Sequence, residues 1–199
     1  MIDLTSTLAT SGVVFSGLGK VVCHPKSKVT IGAGSRISCP ITVLGENNVV
    51  SIGSECILHG GITLKCKNSI LGIGNNVTWG HVNLMMHESN NILIGDDCMF
   101  STNIFLDVSD MHPIFDIQSG ARINASEPIV LGSHVWIGYG ATLLRGAQVA
   151  EGCIVGAGSV LKGRFPVSNC AIAGNPARIV KFGVRWERNL NPETGYFPG

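Results

Sequence analysis

Charge is scarce in this chain. Only 14% of its 199 residues are Asp, Glu, Lys or Arg, and these nearly cancel to a formal net charge of +1. A nucleic-acid binder needs a basic field to neutralise phosphates, so the balance argues against nucleic acid as the main partner. Paired cysteine spacings are absent as well: the seven cysteines, Cys23, Cys39, Cys56, Cys66, Cys98, Cys153 and Cys170, include no CxxC. An odd, unpaired set reads as small buried apolar residues in a reducing compartment, and no metal site is expected from it. The N-terminal stretch MIDLTSTLATSGVVFSGLGK has no basic flank followed by a long apolar run. Neither a signal peptide nor a membrane span is therefore expected, and the reading is cytoplasmic. No low-complexity segment or linker divides the sequence, so residues 1–199 are expected to form one domain.

Glycine and aliphatic residues are plentiful, with 26 glycines and 45% hydrophobic content. They are arranged on a beat of six, in which Leu131, Ile137, Leu143, Val149, Val155 and Leu161 each open a hexad. The second position is mostly small (Gly132, Gly138, Ala150, Gly156), and so is the fifth (Val135, Ala141, Ala147, Cys153, Ser159). A period of six fits neither a helix of 3.6 residues per turn nor a strand alternation of two. It fits a chain that runs straight for two or three residues, turns a corner and repeats. Three such sides make a coil of about 18 residues, and stacked coils pair as parallel strands about 4.8 Å apart. In so narrow a tube the first residue of each hexad must point inward. The small fifth residues fill the corners. The fold class is thus all-β, a parallel β-helix of hexapeptide repeats.

Residues 1–28 keep an imperfect register and read as an N-terminal cap and first coil, which a stack of open strand edges requires. Over 29–106 the beat sharpens. Four Ile-Gly pairs, at Ile31, Ile52, Ile73 and Ile94, recur every 21 residues, one coil plus three residues added at one corner. Counting by six assigns Ile37, Val43, Val49, Leu58, Leu64, Ile70, Trp79, Met85, Phe100 and Leu106 to the interior, and the rule fails at Asn91. From 107 to 128 the beat is lost among Asp, His, Pro, Gly and Ser, so this segment must leave the tube as a loop, where function commonly sits. Coils resume over 129–165. Residues 166–199 form a C-terminal cap and tail, expected to open with a short amphipathic helix through Phe182, Trp186 and Leu190.

His112 in the extruded loop, Val135-Trp136-Ile137-Gly138, Gly156-Ala157-Gly158-Ser159-Val160 and Ala173-Gly174-Asn175-Pro176-Ala177-Arg178 follow one another in an order and spacing that resemble the hexapeptide-repeat acyltransferases, in their sugar and polysaccharide O-acetyltransferase branch. His112 precedes Trp136 by 24 residues, the separation found in galactoside acetyltransferases. The resemblance covers nearly the whole chain. It implies a left-handed coil, a homotrimer with active sites between subunits, acetyl-CoA as the acetyl donor, and a carbohydrate acceptor such as sialic acid or another surface-polysaccharide sugar.

Under that resemblance His112 is the candidate general base. A sugar hydroxyl is a weak nucleophile at neutral pH, and a histidine can take its proton as the new bond forms. Asp107, Asp110 or Asp116 could orient the ring. Trp136 stands at the sixth, outward position of its hexad and is expected to wall the reacting end of the donor or acceptor. Gly138, Tyr139, Gly156 and Ala157, with Gly158, are expected to let the thin pantetheine arm lie against the backbone, and Lys162, Arg178 and Lys181 to meet its phosphates. An oxyanion donor is sought in an amide near Gly138 or Tyr139. Serine, amino-sugar and antibiotic acetyltransferases share this coil and base, so these acceptors stand as alternatives. From other function classes, His81 and His87, at third positions of successive hexads, raise a zinc enzyme of the γ-class carbonic anhydrase type. A non-catalytic β-helix scaffold is the remaining alternative.

Overall fold

In a computed structural model that describes residues 7–9 and 11–189, the chain winds as a left-handed parallel β-helix. Three flat faces, here A, B and C in chain order, run the length of the tube. Face A stacks eight strands, from Thr7–Ala9 through Lys28–Ile31, Val49–Ile52, Ile70–Ile73, Ile92–Ile94, Ile129–Leu131 and Gln148–Val149 to Arg164–Phe165. Face B contains Arg36–Ile37, Met99–Phe100, Trp136–Ile137, Ile154–Val155 and Cys170–Gly174, and face C contains Lys20–Cys23, Pro40–Val43, Ile104–Asp107, Thr142–Leu143 and Val160–Leu161. The long strands Ile57–Leu64 and Thr78–Met86 run round the corner between B and C, which joins those two faces into one sheet. Lys20–Cys23 pairs with Pro40–Val43, one coil on; residues 1–6 and 10 lie outside the described residues.

The hexad logic holds over 131–161. Leu131, Ile137, Leu143, Val149, Val155 and Leu161 are at most 3% exposed, and the corner residues Val135, Ala141, Ala147, Cys153 and Ser159 are fully buried. All seven cysteines are free and buried, and Cys56, Cys98 and Cys153 fill fifth-position corners in the same way, whereas Cys23 ends a strand of face C.

Counting by six misplaces three residues. Val49 and Ile70 face outward, and their neighbours Val50 and Leu71 are inside. The three extra residues sit in the corner between C and A, so the count slips by one as the chain enters face A. An asparagine ladder holds that corner: Asn48 Nδ2 donates to the Gly45 and Cys66 carbonyls at 3.0 and 2.8 Å, and Asn48 Oδ1 accepts from the Ser69 amide at 3.0 Å. Asn91 continues it, its Oδ1 accepting from the Ile70 amide at 2.9 Å, which is why an aliphatic residue is not found there. Met85 likewise gives way to Leu84 and Met86 inside. A β-bulge between Trp79 and Val82 adds one residue, and a bulge moves every later side chain by one position. Trp79 itself points into the tube and meets Phe100 edge-on, with ring centroids 5.6 Å apart.

The expected C-terminal helix is not formed. Ala177–Phe182 is a strand that doubles back antiparallel on Cys170–Gly174 along the edge of face B, and residues 183–189 contain no helix. A strand edge left open by the last coil offers unpaired amides and carbonyls, and pairing them outweighs the local apolar spacing. Leu190 lies outside the described residues.

Candidate active site

Asp107 ends its strand on face C instead of opening the loop, and residues 108–128 connect it to the next strand of face A, with Val108 still buried in the core. The loop leaves and re-enters at the corner between C and A, and buried polar side chains fasten it there. Arg145, 7% exposed on the next coil, donates through Nε to Asp110 Oδ2 at 2.8 Å and through Nη1 to the Ala125 carbonyl at 3.2 Å. It also pairs with Glu127. One guanidinium therefore ties the outgoing limb of the loop to the returning limb. Asn124, 2% exposed, donates to Asp110 Oδ2 at 3.1 Å and to the His112 carbonyl at 2.8 Å, and accepts from the Ile114 amide at 2.7 Å. Arg122 forks onto Glu88 with bonds of 2.8 and 2.7 Å, and Glu88 also accepts from Ser109 Oγ at 2.5 Å.

These contacts set the charges. The Arg122 and Ser109 bonds hold the Glu88 carboxyl below its usual range. Burial alone would raise Asp110, but the bonds from Arg145 and Asn124 and the charges of Arg145 and Lys162 outweigh it and leave Asp110 lowered.

His112 is fixed through its backbone, with its amide on the Asp110 carbonyl at 2.8 Å and its carbonyl on Asn124, while the residue itself is exposed. None of the three aspartates orients its ring. Asp107 is bonded to His87, Asp110 to Arg145 and Asn124, and Asp116 to Ser119 and the amide of Gln118.

Sequence reasoning missed the His87–Asp107 pair. Asp107 is 1% exposed, and its Oδ2 lies 2.5 Å from His87 Nδ1. Burial pushes the Asp107 carboxyl up, against the opposing effect of the His87 bond. The other ring nitrogen, Nε2, is 3.3 Å from Lys65 Nζ. The pair stands at the wall of a cleft of about 580 Å³ that Lys65, Lys67, Glu88 and Ser126 also line. The coil period could have found it: one turn of 21 residues from His87 lands on Val108, beside Asp107. His81 is exposed at a different corner, between B and C, and no three His, Cys, Asp or Glu side chains among the described residues converge on a common point.

Trp136 does face outward, 36% exposed, in the middle of face B. In a triangular tube face B lies opposite the corner between C and A, so the loop and Trp136 belong to opposite sides of one chain. Tyr139, Ala157 and Gly158 are exposed at the corner between B and C. The glycines there have different causes. A Cβ on Gly138 would stand 2.7 Å from the Val155 carbonyl, so stacking of the next coil requires Gly138, whereas a Cβ on Gly158 would meet nothing. Gly156 is intermediate, with Ala173 Cβ at 3.1 Å. The Gly138 amide donates to the Val155 carbonyl at 2.8 Å, which removes it as an oxyanion donor. The three expected phosphate cations are exposed but not grouped: Arg178 and Lys181 share the edge strand of face B, and Lys162 follows face C, close enough to Asp110 to lower its carboxyl.

Residues 128–163 match the family model described as bacterial transferase hexapeptide (six repeats). The chain is 35% identical over 178 residues to the polysialic acid O-acetyltransferase of Neisseria meningitidis, covering 78% of this chain and 83% of that protein. Its structure is similar to that of the polySia-specific acetyltransferase NeuO, with TM-score 0.68, 34% identity, and 92% and 89% of the two chains covered. It is also similar to the polysialic acid O-acetyltransferase OatWY, with TM-score 0.73, 28% identity, and 93% and 92% covered.

Proposed function

Because the chain belongs to the hexapeptide-repeat transferases, in their O-acetyltransferase branch, we propose that it transfers the acetyl group of acetyl-CoA to hydroxyls of an acidic polysaccharide, with polysialic acid the foremost acceptor. The relatives named for that polymer support the acceptor. So does the cleft under the loop, where Lys65 and Lys67 offer positive charge to a sugar carboxylate. The seven free thiols suit the reducing cytoplasm as the place of action.

In the proposed reaction His112 takes the proton of the sugar hydroxyl as its oxygen bonds to the acetyl carbon. The carbon–sulfur bond then breaks, and His112 returns that proton to the departing sulfur, giving free CoA thiol and the acetyl ester. A positioned base of this kind contributes about 10²–10⁴-fold. Trp136 walls the reacting end, Tyr139, Gly156, Ala157 and Gly158 accommodate the pantetheine arm, and Lys162, Arg178 and Lys181 meet the phosphates.

The observation that carries the reading is the loop that holds His112 exposed at one corner, opposite the face that presents Trp136. A single chain keeps the two apart. In a homotrimer the loop of one subunit reaches the face of the next, and the site forms between them. Coexpressing differently tagged His112→Ala and Trp136→Ala chains, and purifying the mixed oligomer, tests this. Each variant alone is expected to be inactive, and the mixed oligomer to regain acetylation of polysialic acid, because some of its interfaces carry both wild-type residues. A mixed oligomer as inactive as its parents rules the arrangement out.

A further inference from the structure

Beyond the last strand, residues 183–189 lie against the coils. The Val184 amide donates to the Asn169 carbonyl at 2.9 Å, and the segment crosses the corner between A and B as a strap. Trp186 is 5% exposed and stacks on His134, with ring centroids 4.2 Å apart and planes at 11°. Its Nε1 donates to the His134 carbonyl at 2.9 Å, and its own carbonyl faces His134 Nε2 at 3.2 Å. His134 Nδ1 is bonded to Asp97 Oδ2 at 2.6 Å. Arg188 completes the attachment, with bonds of 2.6 Å to Asp97 Oδ1, 2.8 Å to Thr78 Oγ1, and 2.8 and 3.0 Å to the Asn76 and Cys98 carbonyls.

So many bonds on one short segment fix the position of a single large side chain. The Trp186 indole lies 6.1 Å from the Trp136 ring, tilted by 43°, within the range where aromatic rings attract one another. Trp136 therefore has one flank against a buried indole and the rest open. Its neighbours along face B are the aliphatic Met99 and Ile154, so the indole of Trp186 is the aromatic partner that the strap adds beside Trp136.

We propose that Trp186 is a positioning residue for acetyl transfer: it holds the Trp136 indole in the one orientation that walls the reacting group, and Arg188 and His134 hold Trp186. The inference rests on the reading of Trp136 given above, and it assigns a role to a C-terminal segment that lies outside the repeat.

Three variants, Trp186→Ala, Trp186→Phe and Arg188→Ala, test it by steady-state kinetics with acetyl-CoA and polysialic acid, near-ultraviolet circular dichroism and thermal unfolding. Trp186→Ala is expected to lose the tryptophan-pair dichroism and to lower kcat/KM about 100-fold, the effect of a small misplacement at a reacting centre. Trp186→Phe should restore kcat/KM to within a few-fold, and Arg188→Ala, which removes the guanidinium lying 5.8 Å from the Trp186 ring centroid together with its bonds to Asp97 and Thr78 but leaves both indoles in place, should give an intermediate loss. The midpoint of unfolding should move little in all three, because the coils are intact. Wild-type kinetics in Trp186→Ala would overturn the proposal, and so would a loss that phenylalanine does not repair. A wild-type protein that neither binds nor turns over acetyl-CoA would instead overturn the reaction assigned to the site, with the dichroism still reporting whether the indoles are coupled.

Discussion

Asn124→Asp is nearly isosteric, yet it removes the two N–H bonds that Asn124 supplies to the His112 carbonyl at 2.8 Å and to Asp110 Oδ2 at 3.1 Å. It also sets a carboxylate against a carbonyl and a second carboxylate. Two lost bonds and a carbonyl left without its donor amount to about 3–5 kcal/mol. That energy falls on the loop and not on the coils, whose aliphatic core lies on the far side of Asn124. Local opening is therefore expected in place of global unfolding, with the unfolding midpoint shifted by less than about 3 °C. Because His112 is fixed by its backbone, its ring loses its place, and kcat is expected to fall about 100-fold with little change in KM for acetyl-CoA. Limited trypsin digestion reads the same event. Arg122 is the only Lys or Arg between Lys67 and Arg145, so opening of the loop appears as rapid cleavage at one site. Activity within twofold of wild type, or an unchanged cleavage rate, would refute the reasoning.

Other outcomes follow from single contacts. Gly45→Ala places a Cβ 1.7 Å from the Cys66 carbonyl of the next coil, whereas Gly61→Ala meets nothing within 4 Å. The first should cost about 3 kcal/mol and lower the melting midpoint by about 6–12 °C, and the second should be silent in the same melt. The Glu88 carboxyl is held below its ordinary 4.5 by Arg122 and Ser109. A lowered carboxyl stabilises the ionised clamp above the ordinary value, and that contribution is lost as pH falls through the folded-state value. Hydrogen exchange of loop amides, corrected for the intrinsic effect of pH, should show loss of protection below about pH 4.5, and Glu88→Gln should abolish this dependence and speed cleavage at Arg122 at neutral pH. Burial pushes Cys39 and Cys98 up to about 11, and all seven thiols are buried. A disulfide reagent should titrate none of them in the native protein within minutes and all seven in denaturant; rapid native reaction at Cys39 or Cys98 would contradict the packing.

The tube was legible because a narrow triangular core accepts one side chain per side, which imprints a strict beat from Leu131 to Leu161. Val49, Ile70 and Met85 slipped by one because a beat counts residues and cannot place an insertion: the asparagine corner and the bulge after Trp79 each absorb residues without showing a break in composition. The tail misled for a different reason. Phe182 and Trp186 are spaced like one face of a helix, but pairing with the open strand edge at Cys170–Gly174 decided the matter, a long-range effect that no local spacing records. His112 stood out as the only histidine in the irregular loop. His87–Asp107 did not, since the two residues meet only when one coil is laid on the next, and His87 alone reads as an outward polar residue. For the same reason Trp186 lay hidden in a stretch that carries no repeat.

The most direct measurement is release of CoA thiol from acetyl-CoA in the presence of polysialic acid, with wild type and His112→Ala side by side. The account predicts acceptor-dependent release by the wild type, acetyl ester on the glycan, and a loss of about 10²–10⁴-fold in the variant, which should still bind acetyl-CoA. Equal release by the two proteins would remove His112 from the chemistry. No release with the polymer, with simple hexosides or with serine, an amino sugar or chloramphenicol would contradict the assigned reaction itself.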